Sequence, residues 1–238
     1  FLLLFVWADL TWINAINYAL TTMPSGGFGT TDGGVMDFDS ARVEGIIIFF
    51  MVATGINFSL FHFLLLKEYT KVVNDQELRV YLMVLIGAWA IFILNLVHSA
   101  GWQWGEAMRH GAFQAAAIGT STGYASSDFA SWPVLSLFVL LFLMVVGASA
   151  GSTSGGLKIL RLRLAFGLAR REIHRMVQPR AIVAVRMNGE VVEDSRMWVV
   201  IGMLSTWAAL AMISTVLLAF FEPTHSLETI LSVIFAAL

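Results

Sequence analysis

With 238 residues, 58% of them hydrophobic and only 13% charged, the chain carries more apolar side chain than one soluble core could hide, which excludes a water-soluble globular protein. A net charge of −2 offers no basic surface for nucleic acid, and the absence of cysteine excludes disulfides, iron–sulfur clusters and thiolate metal sites. Several apolar runs reach membrane-spanning length, so the chain reads as an integral membrane protein.

Phe1 to Ala8 reads as the tail of a helix, and the chain as an internal piece of a longer protein. Asp9 to Thr22 predicts a short helix with Asp9 as N-cap, too short and too polar, with Asn14 and Asn17, to face lipid. Met23 to Ser40 is a Gly-rich loop with three acids, Asp32, Asp37 and Asp39. Gly45 to Leu66 predicts one full span, and Tyr81 to His98 another. A second short helix, Glu106 to Ala117, leads into a second Gly-rich loop and then the apolar run Trp132 to Val146. Gly147 to Gly156, reading GASAGSTSGG, breaks what would otherwise be a long helix running on through Leu157 to Val177. Lys158 to Arg175 is basic and amphipathic, as expected of a helix leaving the membrane with its arginines among headgroups. Ala181 to Val192 alternates about Asn188-Gly189, a type I′ hairpin signal that on its own predicts a surface hairpin without a partner. Trp198 to Phe221 predicts a further span, and Thr224 to Leu238 a third short helix with Glu228 in its first turn.

The two Gly-rich loops are copies of one another. Ser25-Gly26-Gly27-Phe28-Gly29-Thr30-Thr31-Asp32 aligns with Ser121-Thr122-Gly123-Tyr124-Ala125-Ser126-Ser127-Asp128 at a constant offset of 96 residues. The chain therefore reads as tandem repeats, each a span, a short helix, a loop and a second span. All but two of the 14 basic residues, Arg42 and Arg109, lie away from the Gly-rich loops, so the positive-inside rule puts the loops outside and the basic segments in the cytoplasm. Each short helix then re-enters from outside and aims the negative end of its dipole at the membrane centre, where a cation is favoured. Gly27 and Gly123 occupy equivalent places at which a missing Cβ lets the backbone turn its carbonyls toward an axis. Asp32 and Asp128, which recur at the repeat offset, suggest an outer vestibule that concentrates cations. The fold expected is thus all-α, with parallel span, pore-helix, filter-loop and span repeats around one pore, as in potassium channels.

Two other classes compete. Gly147-Ala148-Ser149-Ala150-Gly151 fits G-x-S-x-G and would make Ser149 the nucleophile of an intramembrane serine hydrolase, although His62, His98, His110, His174 and His225 all lie at or beyond span ends. A scaffold without a pore would use the Gly-rich loops only to pack helices.

The motifs MPSGGFGTTD and GTSTGYASSD, the Trp132-Pro133 pair after the second loop and GSTSGGLKILR in the broken helix appear together and in order. In this the chain resembles the Trk/Ktr/HKT superfamily of potassium transporters, and specifically its TrkH-type membrane subunits. The resemblance implies four repeats around a pore. Residues 1–70 then belong to the second repeat, 78–180 to the third, 181–195 to a cytoplasmic hairpin and 196–238 to the start of the fourth without its filter. It implies that filter carbonyls come from Ser25, Gly26 and Gly27 and from Thr120, Ser121, Thr122 and Gly123, with potassium as the ion. Pro24 stands where the second loop has Thr120 and is left out of the set. It further implies that Gly147, Ala148, Ser149, Ala150, Gly151, Ser152, Thr153, Ser154, Gly155 and Gly156 form an intramembrane gate. The expected setting is the bacterial inner membrane, as a homodimer in contact with membrane lipid and with a cytoplasmic nucleotide-binding regulatory subunit. No cofactor, enzymatic activity or nucleic-acid partner is expected.

Overall fold

The computed structural model describes Ala8, residues 10–178, residues 184–222, Thr224 and residues 226–238. Helices α1 (Trp12–Thr22), α2 (Ala41–Thr54), α3 (Phe58–Leu65), α4 (Tyr69–Val73), α5 (Gln76–Ala100), α6 (Trp104–Gly119), α7 (Val134–Val146), α8 (Ile159–Val177), α9 (Asp194–Phe221) and α10 (Leu227–Ala237) make up most of it, with one small hairpin between α8 and α9. Among the described residues two helices, α5 with 25 residues and α9 with 28, are long and apolar enough to cross a membrane. Along α9 only Met197 and Ala211 are buried, so nearly the whole apolar surface of that helix is left outward.

Two expectations about the helices need correction. Asp9 lies outside the described residues, and α1 is capped instead by Thr11, whose hydroxyl accepts from the Asn14 amide. The span expected over Gly45 to Leu66 is broken, with α2 and α3 meeting at a bend of 92°. The cause lies in Gly55-Ile56-Asn57. Asn57 starts α3 by accepting from the Ser59 amide at 3.0 Å, and the phenol of Tyr81 takes the Val52 carbonyl at 3.0 Å. A Cβ at Gly55 would stand 2.2 Å from that phenol oxygen, so only glycine fits. The backbone groups freed by the bend are taken up by the broken segment after α7. Ser149 donates to the Gly55 carbonyl and Phe58 donates to the Gly151 carbonyl, each at 3.1 Å. Irregular backbone inside a membrane is tolerated only where protein satisfies it, and here these groups are satisfied.

Helix α6 is the packing centre. Phe113, Ala116 and Ala117 face Tyr18, Ile47, Met51 and Tyr124 in one apolar cluster, while Ala115 and Ile118 face Phe92, Trp132 and Leu143 in another. Its small residues let neighbours approach on several sides. Outside that core, Arg109 on α6 grips Glu44 of α2 through two hydrogen bonds, of 2.8 and 2.9 Å, and reaches Asp39 at 2.9 Å.

The hairpin pairs Arg186 with Val191 and Met187 with Glu190, and both Asn188 (φ 47°) and Gly189 (φ 87°) take the positive angles of a type I′ turn. Residues 181–183 of the expected hairpin lie outside the described set. The expectation of a hairpin without a partner fails. Asn188 accepts from the Gln76 amide at 3.1 Å and donates to Asp75, the N-cap of α5, at 2.8 Å.

Candidate functional site

Each Gly-rich loop begins where a short helix runs out. At the end of α1, Ser25 donates to Thr22, and the Gly26 and Gly27 amides both turn back onto the Thr21 carbonyl. At the end of α6, Ser121 donates to Ile118, and the Thr122 and Gly123 amides both turn back onto the Ala117 carbonyl. Every one of these bonds recurs at the offset of 96 found in the sequence. The dihedrals recur as well. Gly27 has φ of 68° and Gly123 of 80°, the positive values expected of them. Ser25 at 57° and Ser121 at 56° share the left-handed region, which sequence reasoning did not anticipate because a serine there is strained.

The bonding is one-sided. Helix-end carbonyls absorb the loop amides, whereas the carbonyl oxygens of Ser25, Gly26 and Gly27 and of Thr120, Ser121, Thr122 and Gly123 accept no hydrogen bond among the described residues. Two short runs of backbone therefore keep their acceptors open and their donors occupied, which is the polarity a dehydrated cation needs. The loops also touch: a Cβ on Gly27 would lie 1.8 Å from the Thr122 carbonyl oxygen, whereas one on Gly123 would meet nothing.

Side chains brace the second loop more than the first. Thr120 is buried, donates to Ala116 at 2.7 Å and shares a bond of 2.8 Å with Thr122. Tyr124 shares hydrogen bonds with Thr21 at 2.6 Å and Thr22 at 3.2 Å, fastening this loop to α1. Asp128 accepts from the Ala130 amide at 3.1 Å and so starts the short turn Phe129–Ser131. Asp32 is exposed on the loop surface.

Residues 147–156 lie directly against both loops. Ser25 and Thr153 share a hydrogen bond of 2.9 Å, and a Cβ on Gly155 would stand 3.6 Å from the Ser121 hydroxyl. The segment leaves α7 and returns beside it, since Leu157 and Lys158 donate to Val145 and Val146, and Ile159 donates to Ala148. Its crossing is so close that a Cβ on Gly147, itself at φ 65°, would come within 2.4 Å of the Gly155 carbonyl oxygen. Glu77 of α5, 5% exposed, accepts from the Ala150 amide at 2.6 Å. Lys158, expected as the first residue of the basic amphipathic segment, precedes α8 and folds its ammonium back into residues 147–156, donating to the Ser154 carbonyl and to the hydroxyls of Ser154 and Ser152. Sequence reasoning missed Asn57, Glu77 and Lys158 as partners of this segment. Their contacts cross up to 94 residues of chain, from Asn57 to Gly151, and only the sudden carboxylate and lysine beside apolar runs hinted at them.

Ser149 gives nothing to a hydrolase. Its hydroxyl is buried with no hydrogen-bond partner among the described residues, and His110 is engaged with Ser126 at 2.9 Å. A serine nucleophile needs a base within hydrogen-bond reach. Among the described residues no group of three or more His, Asp or Glu side chains could hold a metal ion.

Residues 5–238 match the family model described as TrkH, cation transport protein. The chain is similar to the Trk system potassium uptake protein TrkH of Halomonas elongata, with 32% identity over 205 residues, 85% of this chain and 42% of that protein. Against the protein of the same name from Escherichia coli strain K12 the identity is 30% over 213 residues, 87% of this chain and 43% of the relative. The crystal structure of the potassium transporter TrkH from Vibrio parahaemolyticus superposes with a TM-score of 0.90 at 27% identity, covering 99% of this chain and 51% of that one. The chain thus spans about half the length of the relatives it matches, or somewhat less.

Proposed function

This chain belongs to the TrkH family of cation transport proteins, and from that premise we propose that its two Gly-rich loops supply part of a potassium-selective filter. The family is one of transporters, not enzymes, and the serine-hydrolase reading of Ser149 is withdrawn. Relatives that the chain matches are named potassium uptake proteins, and potassium uptake across the bacterial inner membrane is the activity proposed for the whole protein.

The observation that carries this reading is the repeated one-sidedness of the loops, whose amides are bound back onto helix ends while their carbonyls stay open. Ser25, Gly26 and Gly27 and Thr120, Ser121, Thr122 and Gly123 are the proposed ligands. A carbonyl ring replaces the hydration shell of a large monovalent cation at little cost, and the C-terminal dipoles of α1 and α6 favour positive charge at the same place. A scaffold that used the loops only to pack helices has no need of open acceptors. Residues 147–156 are proposed as the gate beneath the filter, held by Glu77 and Lys158. Asp32 and Asp128 belong to the outer mouth, with the filter loops external and the basic segments cytoplasmic. The division into a second, third and fourth repeat, the homodimer and the nucleotide-binding regulatory subunit complete the proposal on the strength of the family.

The test is rubidium uptake into vesicles containing the complete protein. Uptake above that of empty vesicles, blocked by excess potassium, is expected; uptake at background from correctly inserted protein would remove the proposal.

A further inference from the structure

On the side carrying the basic segments, α5, α7, α8 and the hairpin line a half-open cavity of about 610 Å³, which shares Gly167, Arg170 and Val185 with a second of about 320 Å³. The wall of the larger one is divided by chemistry. Val80, Val84, Phe142 and Val146, from helices α5 and α7, supply only apolar lining, while α8 and the hairpin add Arg163, Arg170 and Arg186 to their own apolar residues. Among the described residues no Asp or Glu lines either cavity.

The arginines are short of partners. Arg163 spends Nη2 on the Gln76 side chain at 2.6 Å, but its Nη1 is buried with no hydrogen-bond partner among the described residues. A buried guanidinium donor left unsatisfied is costly, and that cost is relieved by an anion. The side chains of Arg170 and Arg186 form no ion pair or hydrogen bond among the described residues. Their neighbour Arg171 differs, being bound to Asp194 at 2.7 Å and to Glu172 at 3.1 Å.

We propose that this cavity binds an anionic phospholipid, its phosphate held by Arg163, Arg170 and Arg186 and an acyl chain laid along Val80, Val84 and Phe142. Basic pockets between membrane helices on the cytoplasmic side recognise such headgroups by charge, and the apolar wall distinguishes a lipid from free phosphate. The inference rests on the membrane placement of α5 and α7 and not on whether the Gly-rich loops conduct.

The test is native mass spectrometry of the complete detergent-purified protein titrated with phosphatidylglycerol or phosphatidylcholine. Phosphatidylglycerol is expected to bind more tightly. Since each arginine near the headgroup contributes roughly fivefold in affinity, Arg170→Gln with Arg186→Gln should weaken it by about 25-fold, and Arg196→Gln, outside both cavities, should leave it unchanged. Both substituted side chains are exposed, so the double variant does not disturb the half-buried Arg163. Undiminished phosphatidylglycerol binding in that variant, no preference between the two lipids in the parent, or equal thermal stabilisation by inorganic phosphate would each overturn the proposal.

Discussion

The two Gly-rich loops share a backbone and differ in what surrounds it. Ser25 and Ser121 hold φ within one degree of each other, and the amides that follow them return to equivalent helix-end carbonyls. Yet Phe28 is 72% exposed where its counterpart Tyr124 is 3% exposed, and Gly27 abuts the Thr122 carbonyl where Gly123 has open space. The comparison teaches that the repeat preserves the direction of carbonyls and amides, while each copy fills its own niche in an asymmetric packing. A backbone function survives such divergence in a way that a side-chain function would not.

The largest expected break in that comparison is Gly27→Ala. Its Cβ collides with backbone, adding about 1–3 kcal/mol of overpacking to about 1–2 kcal/mol of positive-φ strain, whereas Gly123→Ala incurs only the second. In thermal melts of the complete protein, Gly27→Ala should therefore lower Tm distinctly more than Gly123→Ala. Equal shifts would mean that the two loops do not touch.

Arg109→Gln comes next, because it cuts the tie between the helix of the second loop and the unit of the first. Glu44, with its side chain 3% exposed, would be left as a buried carboxylate without its cation, at about 3 kcal/mol. Reintroducing balance with Glu44→Gln should recover part of the loss in a double-mutant cycle of denaturation midpoints. Simple additivity of the two single changes would refute the coupling.

The smallest effect separates the two aromatics. Tyr124→Phe removes the bonds to Thr21 and Thr22 and should cost about 1 kcal/mol, while Phe28→Ala at an exposed position should stay within about 0.5 kcal/mol. Chemical denaturation of the two variants side by side checks the order.

What could be read in the sequence follows from where information is local. The spans α5 and α9 announce themselves as long apolar runs, and the loops as a repeat, since both signals lie in neighbouring residues. The break at 55–57 was hidden because apolar residues continue on both sides of it, although Gly55 and Asn57 are a helix stop and a helix start. Nothing local could reveal that Glu77 accepts from Ala150 or that Lys158 turns away from the basic helix into the segment before it. Those contacts are decided by tertiary packing, where a buried charge must find its partners. The hairpin shows both cases at once: Asn188-Gly189 dictates the turn, but its docking on Asp75 is written in no single stretch.

The central claim, that the open carbonyls of these loops select potassium, is tested most directly by Gly123→Ser in the complete protein with competing potassium and sodium uptake. Gly123 has room for a side chain, so the substitution acts through its φ of 80° and not through a collision. Strain of about 1–2 kcal/mol is relieved by turning the carbonyl away, which removes a ligand from a large dehydrated ion and spares a smaller one that keeps its water. Sodium should then compete far better than in the parent while uptake persists; unchanged discrimination in a correctly inserted variant would contradict the assignment of this loop as filter.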